Sequence, residues 1–178
     1  WTVDAGGSIA SGQGTTGIVV TWNTPGTHTV SVVATNACGT SAPASLSVIV
    51  NPEPTTPTVN LSGNDTTICE GTSVVLSASG STGGNVSYNF YDAPTGGNMY
   101  GSNPLTVSPT ATTVYYLEVI NQFGCVNNSG RIPVTVNVTG APTVQSITGD
   151  NVAVCYGTAA TLTANATPDG TTITWWDA

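Results

Sequence analysis

Lysine is absent from this chain of 178 residues, and Arg131 is its one strongly basic side chain beside the single His28. Nucleic acids are held chiefly by Lys and Arg neutralising phosphates, and anionic membrane surfaces by the same residues. Both classes of partner are therefore excluded. Nine acidic residues bring the net charge to −8, yet charged residues of every kind make up only 6%, against about 25% in a typical globular protein. Long apolar runs are missing too. None reaches the roughly 20 residues of a membrane-spanning helix, so no membrane insertion is expected, and the first residues do not read as a secretory leader. Trp1 opens what reads as mid-domain sequence, so the chain is taken as an internal fragment. Cysteine is scarce: Cys38, Cys69, Cys125 and Cys155 lie far apart, with no Cys-x-x-Cys pair. Zinc needs clustered thiolates or imidazoles, which one His and four scattered Cys do not offer. Disulfides in an oxidising compartment fit these cysteines better.

Hydrophobic residues amount to 39% and the mean hydropathy is +0.13. A disordered chain combines low hydrophobicity with high charge; this one has neither property and is expected to fold. Its sequence repeats. Cys69, Gly71 and Thr72 precede Val74, Leu76 and Ala78, and Cys155, Gly157 and Thr158 precede Ala160, Leu162 and Ala164. Phe90, Tyr91, Asp92 and Ala93 match Trp175, Trp176, Asp177 and Ala178. The offset is 86 residues at the Cys and 85 at the Asp, one deletion over half a domain. A second repeat relates Val30, Val32, Ala34, Asn36 and Cys38 to Leu117, Val119, Asn121 and Cys125. The first set is followed by Leu46, Val48 and Val50, the second by Val134, Val136 and Val138. The chain is thus expected to hold the end of one module (1–52), a complete module (57–140) and the start of a third (141–178). Prolines at 52, 54, 57 and 142 mark the seams, where they stiffen the joint and stop a strand.

Apolar residues alternate with Thr, Ser and Asn at period two, which is the half-buried antiparallel strand pattern, and no stretch shows a period of 3.6. Gly-rich turns at 80–84 and 95–98 separate the strands. Many short strands joined by such turns predict an all-β fold of tandem immunoglobulin-like antiparallel sandwiches. Val114, Tyr115, Tyr116 and Leu117 stand where immunoglobulin domains carry Val-Tyr-Tyr-Cys. Tyr115 is then the tyrosine-corner residue, with its hydroxyl tied to nearby backbone. Leu117 and Ala78 replace the inter-sheet disulfide. Phe90 and Trp175 fall where the third strand supplies its core aromatic. The middle module is expected to have about seven antiparallel strands, burying Val74, Leu76, Phe90, Tyr115, Leu117, Val119, Val134 and Val136. Glu118 and Arg131, outward on neighbouring strands, are expected to pair.

The middle and third modules resemble bacterial Ig-like domains of secreted surface proteins of gliding bacteria. The resemblance rests on Cys-x-Gly (Cys69, Gly71), on Tyr91, Asp92, Ala93, Gly96 and Gly97, on Thr113, Tyr115 and Tyr116, and on Cys125, Ser129 and Arg131. Residues 1–52 resemble the last two-thirds of a PKD-like domain through Trp1, Val20, Trp22, Gly26, Asn36, Cys38 and Gly39. The middle module departs from the Ig-like pattern at Phe90, where Trp is usual, and in extra residues between Cys125 and Ser129. The resemblance implies an extracellular, surface-exposed segment of a giant repetitive adhesin used in gliding and attachment and exported by the type IX pathway. Its partners would be neighbouring modules, surface glycans, or the secretion and motility machinery. Such modules also occur as spacers or carbohydrate-binding accessories of secreted hydrolases.

No catalytic group is expected. Glycoside hydrolysis needs two carboxylates about 5–10 Å apart, and the dispersed acids define no such pair. His28, in a Thr-His-Thr segment, reads as a solvent-facing strand residue without Ser or Cys partners. Calcium at a module junction is the one metal left open, near Asp65 and Asp150. It takes about six to eight oxygens, and no Asp-x-Asp cluster exists, so no cofactor is expected. Tyr91 and Trp176 face outward in strands, opposite to Phe90 and Trp175, where they are either covered by a neighbour or offer a sugar platform. Asn-x-Ser/Thr triplets, among them one at Asn127, are attributed to the Asn- and Thr-rich composition.

Two disulfide schemes are open. A Cys69–Cys125 bridge closes a loop of roughly 57 residues and adds about 4 kcal/mol on the chain-entropy model. The sandwich topology argues against it, because it puts Cys69 and Cys125 at opposite ends of the module. The favoured scheme joins each of them to a cysteine of the adjoining module.

Overall fold

The computed structural model describes residues 1–64, 66–149, 153–168 and 170–176. Among them the chain is built of strands, with a single 3-10 turn at Ser62–Asn64 and no α-helix.

The middle part holds the core. It contains eight strands: β8 (Thr58–Leu61), β9 (Thr67–Cys69), β10 (Val74–Ser79), β11 (Val86–Tyr91), β12 (Met99–Ser102), β13 (Leu105–Val107), β14 (Thr113–Asn121) and β15 (Ile132–Thr139). They form two sheets, ordered β13-β10-β8 and β12-β11-β14-β15-β9. The alternation of apolar and polar residues decides which side faces in. Val74, Leu76 and Ala78 point inward from the three-stranded sheet; Phe90, Tyr115, Leu117, Val134 and Val136 answer from the five-stranded one, and all are buried. Leu117 lies in one row with Phe90 and Ile132 on its neighbours. Leu117 and Ala78, the residues standing in for the inter-sheet disulfide, are both buried in this one cluster. Val119 is buried as well.

The expectation of about seven antiparallel strands needs correction at the first strand. Gly63 adopts φ 81°, a left-handed conformation open to glycine at no steric cost. There the chain breaks off and changes sheets. Before the break β8 runs antiparallel to β10. After it β9 runs parallel to β15, with Thr67, Ile68 and Cys69 opposite Asn137, Val138 and Thr139.

The first part comprises β1 (Thr2–Val3), β2 (Gly7–Ser11), β3 (Val19–Trp22), β4 (Gly26–Val32), β5 (Thr35–Asn36), β6 (Gly39–Thr40) and β7 (Ala44–Val50). β1, β4 and β7 make a sheet, and β2–β3 and β5–β6 are hairpins. His28 and Val30 are buried on its apolar face, while Leu46, paired with Val30, is 67% exposed. The C-terminal stretch has one hairpin of β16 (Thr143–Thr148) and β17 (Thr163–Thr167). Trp175 is 55% exposed there, not in a core as its alignment with Phe90 predicts. The described residues 170–176 around it are not strand.

Candidate functional site

Arg131, just ahead of β15, is the hub of the outer face of the five-stranded sheet. Its Nε donates to Glu118 Oε2 at 3.3 Å, and its Nη1 to the carbonyls of Ala93, at 2.9 Å, and of Gly96. The guanidinium carbon sits 3.4 Å from the centre of the Tyr91 ring. The Tyr91 hydroxyl donates to Glu118 Oε1 at 3.1 Å. Burial, and then this bond to a carboxylate, push the Tyr91 phenol up from its ordinary pKa. The side chains of Arg131 and Glu118 are 11% and 24% exposed, so this is a half-buried network and not the freely exposed pair that the strand register alone implies. It pins the loop 92–98 to the sheet. Asp92 closes that loop by accepting from the Asn98 N–H at 2.7 Å and from its side-chain amide at 3.1 Å. A cavity of about 280 Å³ beside Arg131 is bounded by Pro94, Thr95, Val126 and Gly130. Its one carboxylate, Glu118, is committed to Arg131 and Tyr91. The arrangement holds the loop 92–98 against the sheet.

The other sequence-singled residues fall as follows. Phe90 is fully buried, and Tyr115 is buried with its ring edge-on to Tyr100 at 5.2 Å. The Tyr115 hydroxyl makes no hydrogen bond among the described residues, so the tyrosine-corner bond is absent. Arg131 covers one face of the Tyr91 ring, and Trp176 is 88% exposed. His28 is not solvent-facing. It is 9% exposed, stacks on Trp22 at 5.0 Å, and its Nδ1 lies 2.8 Å from Asp4 Oδ1. Gly6 makes room for this: a Cβ there would come within 1.8 Å of the imidazole. Asp65 and Asp150, on which the calcium expectation rested, lie outside the described residues. Among the described residues no three His, Cys, Asp or Glu side chains gather to hold a metal.

Asp4 and Asp92 set an acid limit on stability. The Thr29 N–H, at 2.7 Å, and then the Gly6 N–H hold the Asp4 carboxyl below the usual carboxylate range, with a contribution from His28. Asn98 does the same for Asp92. Groups depressed in this way contribute stability above their unfolded value, about 3.9, and lose it as the pH falls through the folded value. Tyr91 and Tyr115, the latter raised chiefly by burial, act in the opposite sense. Their contribution is present below about pH 10 and is lost as the pH rises through their folded values. Thermal melts followed by circular dichroism should therefore give a plateau between about pH 5 and 9, falling on both sides. A midpoint still rising below about pH 4 would contradict these assignments.

The cysteines mark the module ends. Cys69 closes β9 level with Thr139, where β15 leaves the module. Cys125 lies in the turn after Asn121, at the far end of β14. A nine-residue β14 separates the two ends by about 25–30 Å at roughly 3.3 Å per residue, well beyond the ~7 Å limit for bridged Cα atoms. All four thiols are free. The turns repeat with the sequence: the Cys69 carbonyl accepts from the Thr72 hydroxyl at 2.7 Å, and the Cys155 carbonyl from Thr158 at 2.6 Å. The Cys38 N–H donates to the Asn36 side chain at 2.8 Å, and the Cys125 N–H to that of Asn121 at 3.0 Å.

Sequence reasoning missed three asparagines. Asn121 and Asn127 are 5% and 6% exposed. Asn103 meets β10 edge-on, donating to the Ala78 carbonyl at 2.9 Å and accepting from the Ala78 N–H at 2.8 Å. A signal existed for Asn121. It continues the inward series Tyr115, Leu117 and Val119, and a polar residue at an inward position demands partners.

Residues 54–139 match the family model described as Ig-like domain CHU_C associated, and residues 1–48 match that of the PKD-like domain. No curated protein matches the chain. Residues 54–139 are thus similar to an Ig-like domain and residues 1–48 to a PKD-like domain, kinds of all-β module that are generally non-catalytic, and the CHU_C-associated match suggests an extracellular protein. No helix of the described residues is long and apolar enough to cross a membrane.

Proposed function

We propose that this chain is a structural segment of a long, repetitive cell-surface adhesin, a stalk for attachment and gliding displayed on the bacterial outer surface after type IX export. One observation supports this above the rest. The chain enters the Ig-like module at one end and leaves at the other, and β9, which follows the opening strand β8, lies parallel to the last strand β15 and is hydrogen-bonded to it. Tension on the two ends pulls these strands along their length in opposite directions, so their bonds must shear together. The Glu70 N–H to Thr139 carbonyl bond, at 3.0 Å, and the Asn137 N–H to Thr66 carbonyl bond, at 2.8 Å, flank the pairing. Successive modules are the partners such ends suit. The thiols at the ends, Cys125 toward the preceding module and Cys69 toward the following one, are proposed to staple neighbours.

Antibodies raised against this chain should label intact cells of the source organism, and cells lacking the gene should lose attachment. A parent reading frame with one catalytic domain, and with these modules as spacers or carbohydrate-binding accessories, would replace the adhesin reading with that of a secreted hydrolase.

A further inference from the structure

The segment joining the PKD-like and Ig-like modules looks in sequence like a proline linker, but its backbone is bonded on two sides. Asn121 Nδ2 donates to the Pro52 carbonyl at 2.8 Å and to the Gly83 carbonyl at 2.9 Å. Its Oδ1 accepts from the N–H groups of Phe123 and Cys125, each at 3.0 Å. Those four bonds saturate the amide. Asn127 repeats the device two residues along the linker: Nδ2 donates to the Pro54 carbonyl at 2.8 Å, and Oδ1 accepts from the Ser129 N–H at 3.0 Å. From the other side, the Thr55 N–H donates to the Thr82 carbonyl at 3.1 Å, and the Ser81 hydroxyl to the Thr55 carbonyl at 2.7 Å. Gly83 packs so closely that a Cβ would lie 2.5 Å from the Glu53 carbonyl oxygen.

The chemistry of this groove explains why proline alternates. In an extended strand the carbonyls of residues 52 and 54 point to one side, where two buried amides read them. Proline has no N–H, so the closely packed segment brings no donor at these positions that would need a partner. Its fixed φ also lowers the entropy lost on ordering the segment. The first module touches the same place: Trp22, Pro25, Val50, Glu53 and Asn128 border one cleft of about 350 Å³.

We propose that this end of the Ig-like module is a built receptor for an extended Pro-x-Pro strand, and that its occupant is residues 52–55 of the chain. The loop between β14 and β15 is thus a clasp that turns the linker into a stiff joint. This goes beyond the adhesin reading and does not depend on it, since a spacer in an enzyme could carry the same joint.

Spin labels on Cys38 and Cys69, both exposed, test it in the full chain with Cys125 and Cys155 replaced by Ser. The distance distribution across the joint should be narrow. In N121A/N127A it should at least double in width, and the Thr55 amide should exchange with solvent at least tenfold faster. Should that variant fail to fold, N127A combined with S81A, which removes one bond from each side of the linker, carries the same expectation. An unchanged width and unchanged Thr55 protection in a folded variant would overturn the clasp.

Discussion

Leu117→Ala should destabilise the Ig-like module by about 2–5 kcal/mol, the range found for buried Leu truncations. Leu117 is fully buried in the central strand β14, flanked in its row by Phe90 and Ile132 and facing β10 across the core. Its neighbours are held in two sheets and cannot collapse into the space, so the cavity term adds to the lost transfer energy. For a domain whose whole stability is about 5–15 kcal/mol, this is a large fraction. Denaturant unfolding of the variant checks it. A shift below about 0.5 kcal/mol, the size of a surface change, would mean that the alternation along β14 has the opposite phase.

Arg131→Met should cost about 2–3 kcal/mol, more than an exposed ion pair, which contributes about 0–1 kcal/mol. The variant keeps the apolar stem and removes the guanidinium from Glu118, Ala93, Gly96 and the Tyr91 ring. Hydrogen bonds of charged groups contribute about 1.5–3 kcal/mol, and a half-buried cation over an aromatic ring about 0.5–2. These are not additive, because one side chain makes them all. The loss should be local as well as global: with its anchor gone, the loop 92–98 should exchange its amides faster while the core strands keep their order of protection. A loss below about 0.5 kcal/mol would reduce the network to ordinary surface contacts.

Much of the middle module was legible because its strands obey one rule. Val74, Leu76, Phe90, Tyr115, Leu117, Val119, Val134 and Val136 recur at period two along their strands, mostly between polar residues, and that period puts each strand's set on one face. The parallel β9 was not legible. Ile68 and Cys69 carry too short a pattern to show which sheet they join, and the switch depends on Gly63 at φ 81°, a local conformation that a lone glycine in sequence does not announce. His28 misled for a related reason: its Thr neighbours suggest exposure, while its partner Asp4 lies 24 residues away. Glu118 and Arg131 were readable from register, but the three further contacts of Arg131 depend on a loop fold that register does not describe. Asn127 was hidden by composition, since a chain rich in asparagine gives no reason to single it out, whereas Asn121 was readable as a polar residue at an inward position of β14 but its partners were not.

The claim that these modules bear load is tested most directly by pulling the full chain from its two ends in single-molecule force spectroscopy. With β9 and β15 in shear, the Ig-like module should resist as one unit and then yield in a single step. Extending residues 58–139 should release roughly 250 Å of chain, from the ~3.6 Å reach of each residue less the folded length. Weakening the shear pair, by Ile68→Pro for instance, should lower the force of that step and leave its length nearly unchanged. A module that lengthens gradually at low force, with no step of that size, would contradict a load-bearing role.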